Sequence, residues 1–220
     1  MKVSIIIPVY NEERNIAEVV RRVKAVDIDK EIILIDDGSK DQSREVIGGI
    51  EGVRKVFHSK NLGKGRAVRT GLEAAGGDVV IIQDADLEYD PGDYIRLLAP
   101  LEARETNVVY GSRFLGGGQF LAGSFWANRF LTFLTNVLYR GRITDMETCY
   151  KVVRTDLIKD LDLASNRFEI EPEITTKLLK RREKIVEIPI KYQGRRHGKK
   201  IGPWDGVAAI FNLVKWRLVR

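Results

Sequence analysis

The chain has 220 residues, with 37 Lys and Arg against 31 Asp and Glu and a net charge of +6. That length buries a substantial core in one domain with an appendage rather than in two full domains. A single cysteine, Cys149, excludes an internal disulfide framework and a cysteine-based zinc site, and no apolar run approaches the ~20 residues that cross a bilayer. Mild basicity is compatible with nucleic acid, anionic lipid or a phosphorylated substrate and selects none of them.

Met1-Lys2 leads directly into a strand at residues 3–9, so no leader peptide is expected. A helix follows at 15–26, with Ile16, Val19, Val20 and Val23 at helical spacing. Next come a strand at 31–35, a helix at 42–50, a strand at 53–57 and a helix at 66–75. A strand at 78–83, a helix at 94–103 and a strand at 107–110 complete the first half. Continuous apolar strands alternating with helices imply an α/β fold, with a mostly parallel sheet covered on both faces. After Arg113 the rhythm changes. Gly116-Gly117-Gly118 reads as a flexible joint, followed by an aromatic helix at 123–139, a strand at 149–153 and a helix at 170–180. A strand at 185–192 is pushed toward a sheet edge by Pro189. A basic loop, 195–200, then precedes a last amphipathic helix from about residue 205.

Three strand ends carry the chemistry. The fourth strand ends Gln83-Asp84-Ala85-Asp86-Leu87-Glu88, which puts three carboxylates at the carboxyl edge of the sheet, where open α/β folds bind ligands. Clustered carboxylates repel unless a cation joins them, and Mg²⁺ or Mn²⁺ held by one or two carboxylates normally shares its other positions with phosphates. Alone, the stretch also reads as a polar loop capping the next helix, since Asp90-Pro91 resembles a helix start. The first strand ends Pro8-Val9-Tyr10-Asn11-Glu12 and the second Ile35-Asp36-Asp37-Gly38-Ser39. Tyr10 can stack on a flat ring, and Glu12 or Asp37 can accept hydrogen bonds from a base or a ribose. Each motif alone reads as a turn or cap; all three together describe one crevice. Gly63-Lys64-Gly65 imitates a dinucleotide fingerprint only in part, because Val68 stands at the third glycine position.

Ile-Ile-Pro-Val-Tyr-Asn-Glu, Asp36-Asp37-Gly38-Ser39, Asn61-Leu62-Gly63-Lys64-Gly65, Asp84-Ala85-Asp86-Leu87 and Gly111-Ser112-Arg113 resemble the family 2 glycosyltransferases of the GT-A fold. Within these the chain looks most like the dolichyl-phosphate mannose synthase and polyprenyl-phosphate glycosyltransferase branch. The resemblance runs from residue 1 to about 205. It implies inverting transfer of a hexose from a nucleotide-diphosphate donor, of GDP-mannose or UDP-glucose type, to a polyprenyl phosphate. Pro8, Tyr10, Glu12, Ile35 and Asp37 would line the nucleotide pocket. Lys64, Asp84 and Ala85 would approach the donor, and Asp86 and Glu88 would hold Mg²⁺ or Mn²⁺. Glu88 stands where many relatives have Gln. Arg113 would neutralise phosphate through its planar guanidinium. Asp145-Met146-Glu147-Thr148-Cys149-Tyr150 resembles the acceptor-side loop, with Cys149 in place of a Gly, so Asp145 and Glu147 are expected at the sugar or its acceptor. An ionised phosphate acceptor needs no general base, whereas a hydroxyl acceptor needs one of these two. Arg195-Arg196-His197-Gly198-Lys199-Lys200 resembles a mobile loop that closes on the donor, with Arg195 and Lys200 as phosphate ligands. His197 is expected to be a bystander.

By this reading 1–203 is the transferase domain, with a nucleotide-sugar half at 1–113 and an acceptor half at 114–203, and 204–220 is an appended helix. Wound at 3.6 residues per turn, the 123–139 helix puts Trp126, Phe130, Phe133, Leu134, Val137 and Leu138 on one face. Asn128, Arg129, Thr132, Thr135, Asn136 and Arg140 fall on the other. The last helix gathers Val207, Ile210, Phe211, Val214 and Leu218, with Lys215, Arg217 and Arg220 beside Trp216. Both stripes suit core packing and contact with an anionic leaflet equally. The expected protein is therefore cytoplasmic and peripheral at the inner face of the membrane, with no nucleic-acid partner. A soluble transferase acting on a saccharide or protein hydroxyl is the alternative.

Overall fold

The computed structural model describes residues 1–195 and 203–218. Seven strands pair in one sheet: β1 (Val3–Val9), β2 (Lys30–Asp36), β3 (Arg54–Phe57), β4 (Val79–Ile82), β5 (Val108–Ser112), β6 (Lys151–Arg154) and β7 (Ile185–Pro189). Their order is β3-β2-β1-β4-β6-β5-β7. Every residue of β4 and β5 is buried. Because successive side chains point to opposite faces, both faces of the sheet are covered. The helices are α1 (Ile16–Ala25), α2 (Ser43–Gly49), α3 (Lys64–Ala74), α4 (Tyr94–Glu102), α5 (Ala122–Tyr139), α6 (Thr155–Lys159), α7 (Ile170–Lys180) and α8 (Pro203–Leu218). The expected α/β architecture is the one observed, with β7 at the edge as Pro189 requires; the short α6 was not expected.

The topology decides what meets at the site. β1 pairs in parallel with both β2 and β4, so the chain order reverses at β1 and a crevice opens beyond the carboxyl ends of these strands. β6 runs antiparallel to β4 and β5, with Val152 opposite both Ile81 and Val109. Its preceding loop, 145–150, therefore lands at the same edge. β7 is parallel to β5, so the segment after Pro189 also arrives there. That segment leaves the ladder and forms single bridges, Tyr192 with Tyr89 and Gln193 with Gln119.

The glycine run at 116–118 is a tight turn rather than a flexible joint. Gly117 has φ +68, and a Cβ on Gly116 would sit 1.9 Å from the Ile190 carbonyl oxygen. Backbone bonds from Gly116 to Ser112 and from Gly118 to Arg113 close it.

α5 and α8 contradict half of the amphipathic reading. The buried side of α5 carries Leu131, Thr132 and Thr135, and that of α8 carries Ala209 and Leu213. Thr132 is tolerated inside because its Oγ1 accepts the Met146 N–H at 3.0 Å, while Thr135 donates to the Leu131 carbonyl. Leu134 and Leu138 pack on a small cluster with Ile143, Met146 and Leu213. The large residues face outward: Trp126 is 71% exposed and Phe211 68%, and Phe130, Phe133, Val137, Val207, Ile210, Val214 and Leu218 are exposed with them. Core packing does not account for these faces. No helix among the described residues is long and apolar enough to cross a membrane.

Candidate active site

A cavity of about 720 Å³ occupies the crevice at the β1–β4 edge. From the expected donor set, Pro8, Tyr10, Glu12, Asp37 and Lys64 reach its wall, as do Asp84, Ala85, Asp86 and Glu88. Arg113, Glu147 and Arg195 complete the contribution of the expected residues. Two do not reach it. Ile35 is fully buried in β2 and packs in the core. Asp145 is fully buried behind Arg113. Lys200, with Arg196, His197 and Lys199 of its loop and Arg220 at the chain end, lies outside the described residues.

The carboxylates differ sharply in what they hold. Asp84 lies 2.8 Å from the Lys64 ammonium, which stands at the first position of α3. Burial opposes ionisation of Asp84, but Lys64 outweighs it and its pKa falls below the usual range. Asp86 has no ammonium beside it among the described residues. Burial first, then the charges of Asp84 and Glu88, push its carboxyl up to about 7. The Arg195 guanidinium is 3.5 Å away. Leu87 sits between Asp86 and Glu88 with φ 62, a left-handed conformation that costs a leucine roughly 1–2 kcal/mol. Glu88 has both oxygens engaged: Oε2 accepts the Tyr192 hydroxyl at 2.6 Å and Oε1 the Arg195 backbone N–H at 2.9 Å. As placed, Glu88 fastens the 192–195 segment to the end of β4.

A divalent cation fits this donor set through Asp86, a sheltered carboxylate with raised proton affinity facing the cavity. Among the described residues no three Asp, Glu, His or Cys side chains converge into a complete cage. That arrangement suits an ion that takes most of its ligands from a diphosphate and water.

Asp37 is saturated. Its oxygens accept from the Asn61 side chain and from the backbone N–H groups of Leu62 and Gly63, and His58 Nδ1 lies 2.8 Å away. His58 Nε2 contacts Thr70 at 3.0 Å, so this histidine ties Asp37 to α3. Asp37 thus shapes the 58–63 loop that walls the pocket. The glycines of that loop serve packing. A Cβ on Gly63 would lie 2.3 Å from the Asn166 oxygen, and one on Gly65 2.5 Å from the Ser165 oxygen. The 163–167 segment occupies the place where a dinucleotide reading would put phosphate.

Arg113 and Asp145 form a buried bidentate pair, Nε and Nη2 donating at 2.7 Å each, and the Arg113 backbone N–H adds a third bond at 3.0 Å. Arg113 lies over the Phe120 and Tyr192 rings, which leaves the rest of its guanidinium edge to the cavity. Asp145 is a holder of Arg113 rather than a group that touches ligand. Glu147, two residues on, does line the cavity. Burial pushes its carboxyl up to about 7, with Lys151 pulling in the opposite direction, and its Oε1 has no hydrogen-bond partner among the described residues. Arg195 turns back onto the carboxylates, with Nη2 2.8 Å from Glu12 and Nε 3.8 Å from Glu88.

Several lining residues carry no sequence signal that singles them out: Asn128, Arg167, Phe168 and Tyr192. Glu171 joins them: it is 3% exposed, and a glutamate so buried in a helix face demands a partner, but its burial is visible only in the structure. The cavity also runs under Ser124, Ala127 and Leu131 of α5 and reaches Ala209 of α8. It therefore extends from the strand-end carboxylates to the two helices whose outer faces are apolar.

A family model described as glycosyl transferase family 2 matches residues 4–162. The chain is 27% identical to the dolichol-phosphate mannosyltransferase of Pyrococcus furiosus, over 98% of its own length and 64% of that protein. It is 30% identical to an undecaprenyl-phosphate 4-deoxy-4-formamido-L-arabinose transferase of Pseudomonas fluorescens, over 96% of its length and 64% of that protein. It thus spans less than two thirds of the length of these curated relatives. Among solved structures it is similar to glucosyl-3-phosphoglycerate synthase from Mycobacterium tuberculosis in complex with Mn²⁺, UDP and glucosyl-3-phosphoglycerate. The TM-score there is 0.75 at 21% identity, covering 100% of this chain and 81% of that one. The same synthase also has a structure with Mg²⁺ and UDP, matched at TM-score 0.76.

Proposed function

Because the chain belongs to glycosyl transferase family 2, we propose that it is an inverting transferase moving a hexose from a nucleotide-diphosphate sugar to a polyprenyl phosphate at a membrane surface. The observation that carries this reading is the course of the cavity, from Asp84 and Asp86 past Arg113 to α5 and α8. The exposed aromatic and aliphatic faces of those helices form a patch of the kind that meets a membrane or a partner. Arg129, Lys215 and Arg217 accompany it, and basic residues near an anionic leaflet contribute about 1 kcal/mol each. Residues 1–113 then serve the donor, 114–203 the acceptor, and 204–220 the membrane, on its cytoplasmic face. The names of the relatives, which act on dolichol and undecaprenyl phosphates, support the acceptor class.

In this reading Tyr10 stacks on the base and Asp37 keeps the pocket wall in shape. Asp84, held by Lys64, receives hydroxyl groups of the donor. Asp86 holds Mg²⁺ or Mn²⁺, which when bound offsets charge on the leaving diphosphate. Arg113 draws the acceptor phosphate toward the anomeric carbon, and Arg195 adds positive charge beside the diphosphate. The phosphate oxygen forms the new bond to the anomeric carbon as the bond to the nucleoside diphosphate breaks. No proton has to be removed from an ionised phosphate. Glu147 favours one alternative: a carboxyl with pKa about 7 suits a general base for a hydroxyl acceptor. A sugar-nucleotide panel with Mn²⁺ and undecaprenyl phosphate in anionic vesicles tests the proposal. Sugar recovered on the lipid supports it, and transfer confined to soluble hydroxyl acceptors overturns it.

A further inference from the structure

Lys151 sits in an apolar strand and is fully buried, so each ammonium proton needs an acceptor. The acceptors are the carbonyls of Met146 at 3.0 Å and Thr148 at 2.5 Å and the Glu171 Oε2 at 2.5 Å. The two carbonyls flank Glu147 in the chain. One ammonium therefore grips the backbone on either side of the carboxyl that lines the cavity. Glu171, in the first turn of α7, turns its other oxygen to the Lys64 ammonium at 3.0 Å, and Lys64 reaches Asp84 at 2.8 Å. A buried row of alternating charge, Asp84–Lys64–Glu171–Lys151, thus links the end of β4 to the loop carrying Glu147. Asp84 arrives from the donor side and Glu147 from the loop before β6; Cys149 Sγ reaches the Ile82 carbonyl at 3.4 Å, while Glu147 itself lies outside the β4–β6 ladder.

We infer that Glu171 is a positioning residue that holds Glu147 in register with Asp84 through the two lysines. This rests on the transferase reading of the cavity and on no particular acceptor. Asp84 and Glu147 face the same ligand from two elements, and an error of about 1 Å in such a pair costs on the order of 100-fold in turnover. Burial disfavours the Lys64 ammonium, but Asp84 and Glu171 help outweigh that and hold its pKa well above the usual range.

Glu171→Gln keeps the shape but removes the charge and turns an amide N–H₂ toward one of the lysines. Glu171→Asp keeps the charge but is too short to reach both. The test is a double-mutant cycle on donor hydrolysis with Mn²⁺, comparing wild type, Glu171→Gln, Glu147→Gln and the double variant, with urea midpoints recorded for each. The expectation is a kcat loss of about 100-fold in either single variant, a donor KM within about threefold, and a double variant no worse than about twofold below the weaker single. Losses that multiply in a folded double variant overturn the inference, because Glu171 then acts independently of Glu147. Should Glu171→Gln not fold, the same cycle with Glu171→Asp decides by the same criterion. A wild-type protein that hydrolyses no sugar nucleotide refutes the transferase reading itself, whereas multiplying losses in an active enzyme refute only the positioning role.

Discussion

Replacing Asp145 with Asn removes one charge from a pair that is sealed from water. Asp145 is fully buried and Arg113 is 5% exposed. The carboxylate takes three N–H groups of Arg113, at 3.0, 2.7 and 2.7 Å. Asparagine offers one carbonyl oxygen and turns an N–H₂ toward the remaining donors. Breaking a buried pair from one side costs about 3–5 kcal/mol, because the partner's charge stays behind without compensation. For a chain of this size, with about 2–4 °C of melting temperature per kcal/mol, the fall is on the order of 10 °C. Urea denaturation gives the loss directly as a lower midpoint at unchanged slope. Turnover should drop with it, because Arg113 loses its orientation. Adding Arg113→Met to Asp145→Asn should recover part of the stability, since a pair without charge leaves no guanidinium stranded. A folded Asp145→Asn protein of wild-type midpoint that has lost turnover would refute the reasoning, since that is the behaviour of a group touching substrate.

Three further outcomes follow. Asp86→Ala should lower Mn²⁺-dependent affinity for UDP or GDP by at least about tenfold in calorimetry while leaving the metal-free urea midpoint level or higher, because it relieves crowding with Asp84 and Glu88; unchanged Mn²⁺-dependent affinity counts against Asp86 as the metal ligand. Folding raises the Glu147 pKa from 4.5 to about 7, so this group's stability is complete below pH 4.5 and is lost as pH rises through 7, by about 3 kcal/mol; Glu147→Gln should flatten that slope and be the more stable protein at pH 8, and an unaltered slope contradicts the burial argument. Phe130→Ser with Phe211→Ser removes two exposed rings, so stability should stay within about 0.5 kcal/mol per site while sedimentation with anionic vesicles is lost; retained vesicle binding excludes these faces as the contact.

The sheet was legible because residues 5–9 and Val79–Ile82 are apolar on both faces, and an uninterrupted apolar run has few other uses. The antiparallel course of β6 was not, since Val152 and Val153 read identically in either direction. Periodicity marked the apolar stripes of α5 and α8 but is blind to which side of a helix meets the core. That was decided by Thr132 and Leu213, whose partners lie far along the chain. In the site, the strand-end carboxylates were visible as a cluster, while their division of labour was not. Asp145 and Glu147 look alike in sequence, and only the arrival of Arg113 from β5 turns one into a holder and leaves the other facing the cavity. Lys151 did carry a signal, because a lysine flanked by Tyr150, Val152 and Val153 in a strand requires a buried anion. The identity of that anion, Glu171, is a fact of tertiary structure alone.

The most direct test offers both acceptor classes at once. Undecaprenyl phosphate in anionic vesicles and a soluble saccharide are supplied at equal concentration with Mn²⁺ and a labelled sugar nucleotide, and the products are separated by solvent extraction. Transfer to a phosphate held at a lipid surface predicts label in the lipid fraction, lost when Phe130 and Phe211 are both replaced by Ser. A labelled soluble glycoside resolved from unreacted donor, undiminished in that variant and with no label in the lipid fraction, would contradict it.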